Sequence, residues 1–418
     1  MQDQSVERPS QPRPLMELMP LLMLRSMHDG ETLNPAFADR PVTIFAVMSA
    51  LANQYGAINL GQGFPDEDGP EPLLQHAANA ILIGNNQYAP VQGIEPLRRA
   101  VANANKRFYG LEIDPVDGVL VTSGASEALA ASFLALLKPG DEAILFAPYY
   151  DSYAPMIEAA GAQPIVIDLQ PPHWKIEADA LHAALSPRTR VIAINSPHNP
   201  LGRVMSEAEL SLIATAARDH NITVVCDEVY EHLVFDGVRH QPLMTFDDME
   251  ARCVRIGSAG KTFSLTGWRV GYVSGAPPLI KAIMKARQFM GYTTPAHLQS
   301  AIAAGLGYDD NYYQGLSRMM AHKRDLMAAG LSKLRFSLLP CAGSYFITAD
   351  IRGLTHLDDH AFCTQLTREA KVTAVPLSAF YHHRLSQAPT HFIRFCFCKK
   401  EDVLREALSR LTRYFSTS

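Results

Sequence analysis

The sequence has little charge and few tryptophans. Only 19% of its 418 residues are Asp, Glu, Lys or Arg, against about 25% in an average globular protein, while 47% are hydrophobic. This composition excludes a disordered protein, and the length favours two domains or one large domain with a satellite. The net charge of −5 and the lack of basic runs argue against the positive surface that nucleic-acid binding requires.

The six cysteines include no Cys-x-x-Cys pair, and most of them lie in apolar stretches. This pattern is typical of reduced core cysteines in a cytoplasmic protein. His198, His382 and His383 have no second His or Cys partner at metal-ligand spacing. We therefore expect a cytoplasmic protein without a metal site.

The apolar stretch from Pro14 to Met27 is interrupted by Glu17, Pro20 and Arg25. A membrane span needs roughly 18 uninterrupted apolar residues, and a secretory signal needs a basic start and a small-residue cleavage site. Neither pattern is present, so we expect no membrane segment here. Residues 1–35 are interpreted as a mobile tail to which no function is assigned.

From about residue 119, short apolar runs alternate with longer amphipathic segments. The runs at 119–122, 143–146, 164–169, 191–195, 222–226 and 254–257 are predicted strands, and 125–137, 179–185 and 207–218 are predicted helices. Alternation of this kind is typical of a mostly parallel sheet covered by helices on both faces.

One connection is too short for this pattern. Residues 258–268 alone separate the predicted strand ending at Gly257 from the apolar run Arg269 to Val273, while a parallel crossover usually needs a dozen or more residues. We expect this last strand to be antiparallel. After about residue 305, a helix at 313–334, strands at 344–351, 373–376 and 392–397, and a helix at 401–414 predict a smaller α+β domain.

Polar residues follow the predicted strands, and ligands of open parallel sheets bind outside the carboxyl ends of strands. The residues at this edge are Ser123-Gly124-Ala125-Ser126, Ser196-Pro197-His198-Asn199, Asp227-Glu228-Val229-Tyr230 and Ser258-Ala259-Gly260-Lys261. These side chains suit a phosphorylated, nitrogen-containing aromatic cofactor. A nucleotide-binding P-loop at Gly260-Lys261-Thr262 is disfavoured, because Arg255 stands where that motif has its first glycine.

Six segments occur in the order and at the spacing of a known family. They are Asn59-Leu60-Gly61-Gln62-Gly63-Phe64-Pro65-Asp66, Asn86-Gln87-Tyr88, Asn199-Pro200-Leu201-Gly202, Asp227-Glu228-Val229-Tyr230, Ser258-Ala259-Gly260-Lys261-Thr262 and Phe392-Ile393-Arg394-Phe395. Together they resemble class I pyridoxal-phosphate aminotransferases of fold type I, from about Thr43 to the end of the chain. Within that family the sequence is most similar to the bacterial methionine aminotransferase and kynurenine/glutamine transaminase branch.

The resemblance implies an α/β fold with a large cofactor-binding domain over residues 66–305. Residues 36–65 and 306–418 would form the small domain. It also implies a homodimer with shared active sites, in which an amino group passes from an L-amino acid to pyridoxal phosphate and then to a 2-oxo acid.

Roles of individual cofactor-binding residues also follow from the resemblance. Lys261 would bind the cofactor covalently and carry a proton, Asp227 would pair with the pyridine nitrogen, and Tyr230 and Asn199 would donate hydrogen bonds to the phenolic oxygen. The remaining contacts would come from Gly124, Ala125, Ser126, Ser258 and Arg269 at the phosphate, from Tyr88 at the partner's phosphate, and from Tyr150 or its neighbour Tyr149 stacked on the ring.

Arg394 would bind the α-carboxylate of the substrate. The planar guanidinium can pair with both carboxylate oxygens, which a lysine ammonium cannot do as well. Asn199, Tyr88, Gly63 and Phe45 would line the rest of the substrate site. Phe45 stands where kynurenine transaminases of the family carry a tryptophan, which argues against a kynurenine preference.

The resemblance therefore favours methionine-like, aromatic or glutamine donors. β-Elimination from S-substituted cysteines and kynurenine–oxoglutarate transamination are the alternatives within enzymes. A regulator with a winged helix before the aminotransferase domain is disfavoured, because only about 35 residues precede the match and they lack two successive amphipathic helices.

Overall fold

The computed structural model describes residues 34–38, 40–84 and 86–417. The chain divides into two units, Met1–Pro41 and Val42–Ser418. In the first unit, the described residues contain a short helix, α1 (Pro35–Ala38). The apolar stretch 14–27 and nearly all of the tail expected over residues 1–35 lie outside the described residues.

Helices and strands alternate through much of the second unit. The strands are β1 (Ile58–Asn59), β2 (Val119–Thr122), β3 (Glu142–Ala147), β4 (Gln163–Asp168), β5 (Thr189–Asn195), β6 (Thr223–Asp227), β7 (Cys253–Ser258), β8 (Gly271–Gly275), β9 (Ser337–Leu338), β10 (Phe346–Asp350), β11 (Val372–Thr373), β12 (Val375–Pro376) and β13 (Phe392–Cys396). The α-helices are α2 (Ile44–Tyr55), α3 (Glu71–Ile83), α4 (Glu95–Tyr109), α5 (Ala125–Leu136), α6 (Tyr153–Ala159), α7 (Ala178–Ala184), α8 (Glu207–Asp219), α9 (Ala259–Thr262), α10 (Pro277–Arg287), α11 (Ala296–Leu306), α12 (Asp310–Lys333), α13 (Asp359–Gln365) and α14 (Glu401–Thr417).

The main sheet has seven strands in the order β2-β8-β7-β6-β5-β3-β4. Strand β8 pairs antiparallel with both β2 and β7, while β7, β6, β5, β3 and β4 run parallel. The predicted α/β fold with a mostly parallel sheet and one antiparallel strand is therefore confirmed. Every residue of β2, β3, β7 and β8 is buried, as expected for strands covered on both faces.

The antiparallel strand begins two residues later than predicted. Arg269 adopts the left-handed conformation, with φ 53° and ψ 50°, and β8 starts at Gly271. A left-handed residue does not continue an extended strand, so the chain turns at Arg269 before it enters the sheet.

A second sheet has the order β12-β13-β10-β9, and β10 pairs antiparallel with β13 so that Thr348 lies opposite Arg394. Strands β1 and β11 form a separate parallel pair. The strands predicted after residue 305 and the final helix are thus present, with 373–376 divided between β11 and β12. The domain boundaries at 66 and 306 stay a prediction.

None of the helices within residues 34–38, 40–84 and 86–417 combines the length and the hydropathy needed to cross a membrane.

Candidate active site

Three neighbouring parallel strands end on one cavity. Strands β5, β6 and β7 end at Asn195, Asp227 and Ser258, and their carboxyl ends share one edge of the sheet. The residues that line the cavity are Phe45, Gln62, Gly63, Phe64, Ala125, Ser126, Leu129, Tyr150, Asn195, Asn199, Asp227, Val229, Tyr230, Ser258, Lys261, Arg269, Phe346 and Arg394.

Asp227 is a buried carboxylate at the end of β6. Its Oδ2 accepts a hydrogen bond of 2.5 Å from the hydroxyl of Tyr153, and its Oδ1 accepts a longer one of 3.4 Å from the backbone N–H of Val229. Burial raises the pKa of Asp227 to about 6, although both hydrogen bonds act in the opposite direction. A positive group beside this carboxylate would favour its charged form.

Lys261 lies on α9, the short helix that follows β7, and faces the cavity. Its Nζ donates a 3.0 Å hydrogen bond to the carbonyl of Gly63, and lies 5.4 Å from the ring centres of Tyr230 and Tyr345. The hydroxyl of Tyr345 donates to the carbonyl of Lys261 at 2.7 Å. Burial lowers the pKa of Lys261, which favours a neutral amine that can act as a nucleophile or a base.

The start of α5 and an arginine form a cradle for an anion. Ala125 and Ser126 open the helix, where unpaired backbone N–H groups and the helix dipole favour negative charge. Nη2 of Arg269 donates a long hydrogen bond of 3.4 Å to Oγ of Ser126. A Cβ at Gly124, where φ is 85°, would lie 2.6 Å from that Nη2, so glycine is needed for the arginine to approach the helix start.

Arg394 is fully buried on β13, with three aromatic rings around its guanidinium. The guanidinium lies 3.9, 4.8 and 5.4 Å from the ring centres of Phe346, Phe380 and Phe45. It donates to two neutral oxygens, Oδ1 of Asn199 at 2.7 Å and the carbonyl of Gly61 at 2.5 Å, while Nε has no hydrogen-bond partner.

Burial lowers the pKa of Arg394 to about 10. Among the residues that the structure describes, no carboxylate forms an ion pair with this guanidinium. The negative charge of Asp151 offsets only part of the cost of burying this cation, and an incoming carboxylate paired with the guanidinium would offset more.

Most of the predicted site residues meet in this cavity. Those that line it are Phe45, Gly63, Ala125, Ser126, Tyr150, Asn199, Asp227, Tyr230, Ser258, Lys261, Arg269 and Arg394, while Gly124 lies directly behind the Arg269 guanidinium. Of the two candidate stacking tyrosines, Tyr150 lines the cavity and Tyr149 is buried behind it. Tyr88 is exposed outside the cavity, with its ring centre 5.3 Å from that of Tyr292.

Several residues of the site were missed from the sequence. They are Gln62, Phe64, Leu129, Asn195, Val229 and Phe346 in the lining, with Tyr153 and Tyr345 behind it. Gln62 and Phe64 lie inside the family segment from Asn59 to Asp66, and Asn195 ends a predicted strand, so position alone could have identified them. His198 lies beside a separate small cavity, and burial lowers its pKa to about 3, so it is neutral.

Comparison with known proteins shows relatives along nearly the whole chain. A family model described as aminotransferase class I and II matches residues 55–411. A Mycobacterium tuberculosis protein named probable N-succinyldiaminopimelate aminotransferase is 46% identical over 378 residues, which cover 88% of this chain and 95% of that protein. The methionine aminotransferase of Escherichia coli is 41% identical over 369 residues, with the same two coverages.

Solved structures give the same result. The N-succinyldiaminopimelate aminotransferase structure from M. tuberculosis superposes with a TM-score of 0.87 at 44% identity, covering 93% of this chain and all of that one. An E. coli structure with a methionine aminotransferase function gives a TM-score of 0.88 at 40% identity, covering 91% and 99%.

Proposed function

Since the chain belongs to the class I and II aminotransferases, a family that uses pyridoxal phosphate, we propose that its amino donors are methionine and other L-amino acids with uncharged side chains. The acceptor in this proposal is a 2-oxo acid. The observation that carries it is the aromatic lining of the cavity by Phe45, Phe64 and Phe346, which offers no further basic side chain among the described residues beyond Lys261, Arg269 and Arg394.

The residues of the cavity fit pyridoxal phosphate. The start of α5, Ser258 and Arg269 would hold the phosphate, because they combine N–H and hydroxyl donors with a guanidinium. Tyr150 would lie against the ring. Asp227, with its pKa already raised by burial, would be stabilised as a carboxylate by a protonated ring nitrogen.

When bound, pyridoxal phosphate supplies an aldehyde that combines with amines and a ring that delocalises negative charge. Lys261 Nζ would hold the cofactor and, once released, take the proton from the substrate Cα, for which its lowered pKa is suited. The amide oxygen of Asn199 accepts from Arg394, which leaves Nδ2 to donate toward the phenolic oxygen together with the hydroxyl of Tyr230.

The α-carboxylate of the substrate would pair with Arg394. The guanidinium is held by Asn199 and Gly61 and enclosed by aromatic rings, so little side-chain freedom is lost on binding. Because this contact is common to all α-amino acids, discrimination has to come from the rest of the cavity.

The side-chain pocket in this proposal contains Phe45, Phe64, Phe346 and the amide of Gln62. Nε2 of Gln62 donates to Oγ of Ser49 at 2.6 Å, which fixes the amide. Apolar rings with one amide suit methionine, aromatic and glutamine side chains. We therefore rank methionine transamination above kynurenine transamination. β-Elimination from S-substituted cysteines stays an alternative reaction at the same site.

A second candidate donor is N-succinyldiaminopimelate, which the 46% identical relative favours. That substrate brings further carboxylates. The basic residues that line the cavity in the described part of this chain are Lys261, Arg269 and Arg394, and each already has a task in the proposal. A second carboxylate of this substrate would need a basic residue from outside the cavity lining, so we rank this donor second.

The experiment is a half-reaction screen in which cofactor absorbance is followed after each amino acid is added alone. Methionine is expected to react fastest, with phenylalanine, tyrosine, leucine and glutamine slower and aspartate poor. Faster turnover of aspartate or of N-succinyldiaminopimelate than of methionine would overturn the donor assignment. Pyruvate release from S-substituted cysteines would reveal elimination.

The covalent assignment has its own test. Borohydride reduction followed by peptide mass spectrometry should place the pyridoxyl group on Lys261, and a label on Lys323 or another lysine would contradict it. Lys261→Ala should lose amino transfer.

We also propose a cytoplasmic homodimer. The cytoplasm is favoured because all six cysteines are free thiols. The dimer is favoured because exposed apolar residues, including Leu82 and Ile83, lie close in sequence to Tyr88. Tyr88 would then act in the partner's site. Sedimentation of the purified protein at micromolar concentration tests this, since a monomer would exclude it.

A further inference from the structure

Arg287 is a fully buried arginine at the end of α10, outside the cavity. Its Nε donates to Oε2 of Glu127 at 3.1 Å, and its Nη2 donates to Oγ1 of Thr294 at 3.0 Å. Nη1 donates to the carbonyl of Val91 at 2.8 Å and also to the carbonyl of Tyr292. One guanidinium therefore joins three separate segments of the chain.

The first segment is the start of α5, which lines the cavity. Glu127 lies in the first turn of this helix, and its Oε2 also accepts a 2.5 Å hydrogen bond from the backbone N–H of Ser123. Oγ of Ser123 lies 3.2 Å from Oγ1 of Thr294. The turn 123–126, which would hold the phosphate, is thus held in place by Glu127, and Glu127 is held by its ion pair with Arg287.

The other two segments carry exposed apolar side chains. Tyr88, three residues before Val91, is 81% exposed, and its ring packs edge to face on Tyr292. Phe289, two residues after Arg287, is 84% exposed. Apolar surface of this kind marks an interface, and in the proposed dimer a second copy would cover it.

We propose that Arg287 is a positioning residue that couples cofactor binding at the turn 123–126 to the association of two copies through the segments 88–91 and 289–292. The inference rests on the proposed cofactor and dimer. Both ends of the Arg287–Glu127 pair are held by further hydrogen bonds in a close-packed interior, so a displacement at one end moves the other. Coupling between two binding events is reciprocal, and because the dimer has two sites, cofactor must strengthen the dimer by the square of the factor by which the dimer strengthens binding at each site.

The test measures the dimer dissociation constant by fluorescence-detected sedimentation, with saturating pyridoxal phosphate and after its removal. In the wild type, a coupling of about 5- to 150-fold at each of the two sites should lower this constant by the square of that factor, by at least about 25-fold. Arg287→Lys keeps the charge but loses the fork, and Glu127→Gln keeps the size but loses the charge. In both variants the factor should fall to the part that Tyr88 carries directly between the two copies.

The matched control is Arg324→Lys. Arg324 on α12 is likewise a buried arginine that bonds a carboxylate, Asp236, and a backbone carbonyl, that of Cys341 at 2.9 Å. Its variant should keep the wild-type factor. If Arg287→Lys does not yield folded protein, Glu127→Gln is sufficient for the test.

Tyr88 offers a more direct route between two copies, so the same constants are measured in Tyr88→Phe. This variant should keep part of the factor, and adding Arg287→Lys should remove the rest. A wild-type factor in Arg287→Lys and Glu127→Gln, or its complete loss in Tyr88→Phe alone, overturns the inference. A wild type that binds cofactor and transfers amino groups as a monomer overturns the inference and the dimer but leaves the proposed reaction standing.

Discussion

The hydroxyl of Tyr153 donates a 2.5 Å hydrogen bond to Oδ2 of Asp227, and both side chains are buried. The two residues lie 74 positions apart, on α6 and at the end of β6. A hydrogen bond to a carboxylate stabilises its charged form, so Tyr153 offsets part of the effect of burial on the pKa of Asp227.

Tyr153→Phe should therefore raise the pKa of Asp227 further. A hydrogen bond to a charged group contributes about 1.5 to 3 kcal/mol, which corresponds to a rise of about one to two pH units. The acid limb of the kcat/KM profile should move to higher pH by that amount. Tyr313→Phe, which removes a buried hydroxyl bonded to the carbonyl of Leu306, is the control. An acid limb that stays in place would contradict the role given to Tyr153.

Asp227→Asn should change how the stability of the cofactor-free protein depends on pH. Burial raises the pKa of Asp227 from 3.8 to about 6, so the folded state binds this proton more tightly than the unfolded state. The resulting stabilisation is fully present below about pH 4 and is lost as the pH rises through about 6.

At about 1.36 kcal/mol per pKa unit, the change amounts to about 3 kcal/mol. Urea unfolding of both proteins across this pH range measures it. The free energy of unfolding of the wild type, relative to that of Asp227→Asn, should fall by this amount between about pH 4 and pH 7. Parallel pH profiles for the two proteins would show that Asp227 does not have a raised pKa.

The main sheet could be predicted from the sequence because its strands are short apolar runs that end in polar residues. Val119–Thr122 was predicted with its observed bounds, and the short connection after Gly257 was enough to predict that β8 is antiparallel. The site residues at strand ends followed from the edge of the sheet and from the family resemblance.

What the sequence could not provide are contacts between distant side chains. Phe346 lies on β10 of the second sheet and packs on Arg394 of β13, a contact that depends on the antiparallel register of the two strands. Neither Phe346 nor Tyr153 lies in a local pattern that distinguishes it from a core aromatic residue. Arg269 has a left-handed backbone and its side chain contacts Ser126 at the start of α5, and no local pattern indicates either feature.

Arg394→Ala should weaken the use of every amino acid alike. The contact with an α-carboxylate is shared by all substrates, and losing a desolvated charge pair costs about 2 to 5 kcal/mol in kcat/KM. Arg405→Ala, which removes an exposed arginine paired with Glu401, is the control and should change kcat/KM by less than about 0.5 kcal/mol. A loss confined to one amino acid in the donor panel would refute the clamp.

Gly63→Ala should disturb the aromatic wall beside Arg394. A Cβ at Gly63 would lie 2.5 Å from Cζ and 2.8 Å from Cε1 of Phe346, so the ring has to move. This ring lies 3.9 Å from the Arg394 guanidinium and lines the cavity. The displaced ring changes the apolar pocket by about the size of one methyl group. A change of that size is worth about 1 to 3 kcal/mol in substrate binding, so we expect KM for methionine and phenylalanine to rise by about 5- to 150-fold.

Gly315→Ala is the matched control, because a Cβ at Gly315 on α12 meets no atom within 4 Å. It should leave kcat/KM unchanged and stabilise the helix by about 0.5 to 1 kcal/mol. The double variant Gly63→Ala with Phe346→Leu should recover part of the lost affinity, since the smaller side chain makes room for the new methyl group. If KM for methionine and phenylalanine is the same in Gly63→Ala as in the wild type, Phe346 does not form the wall of the substrate pocket.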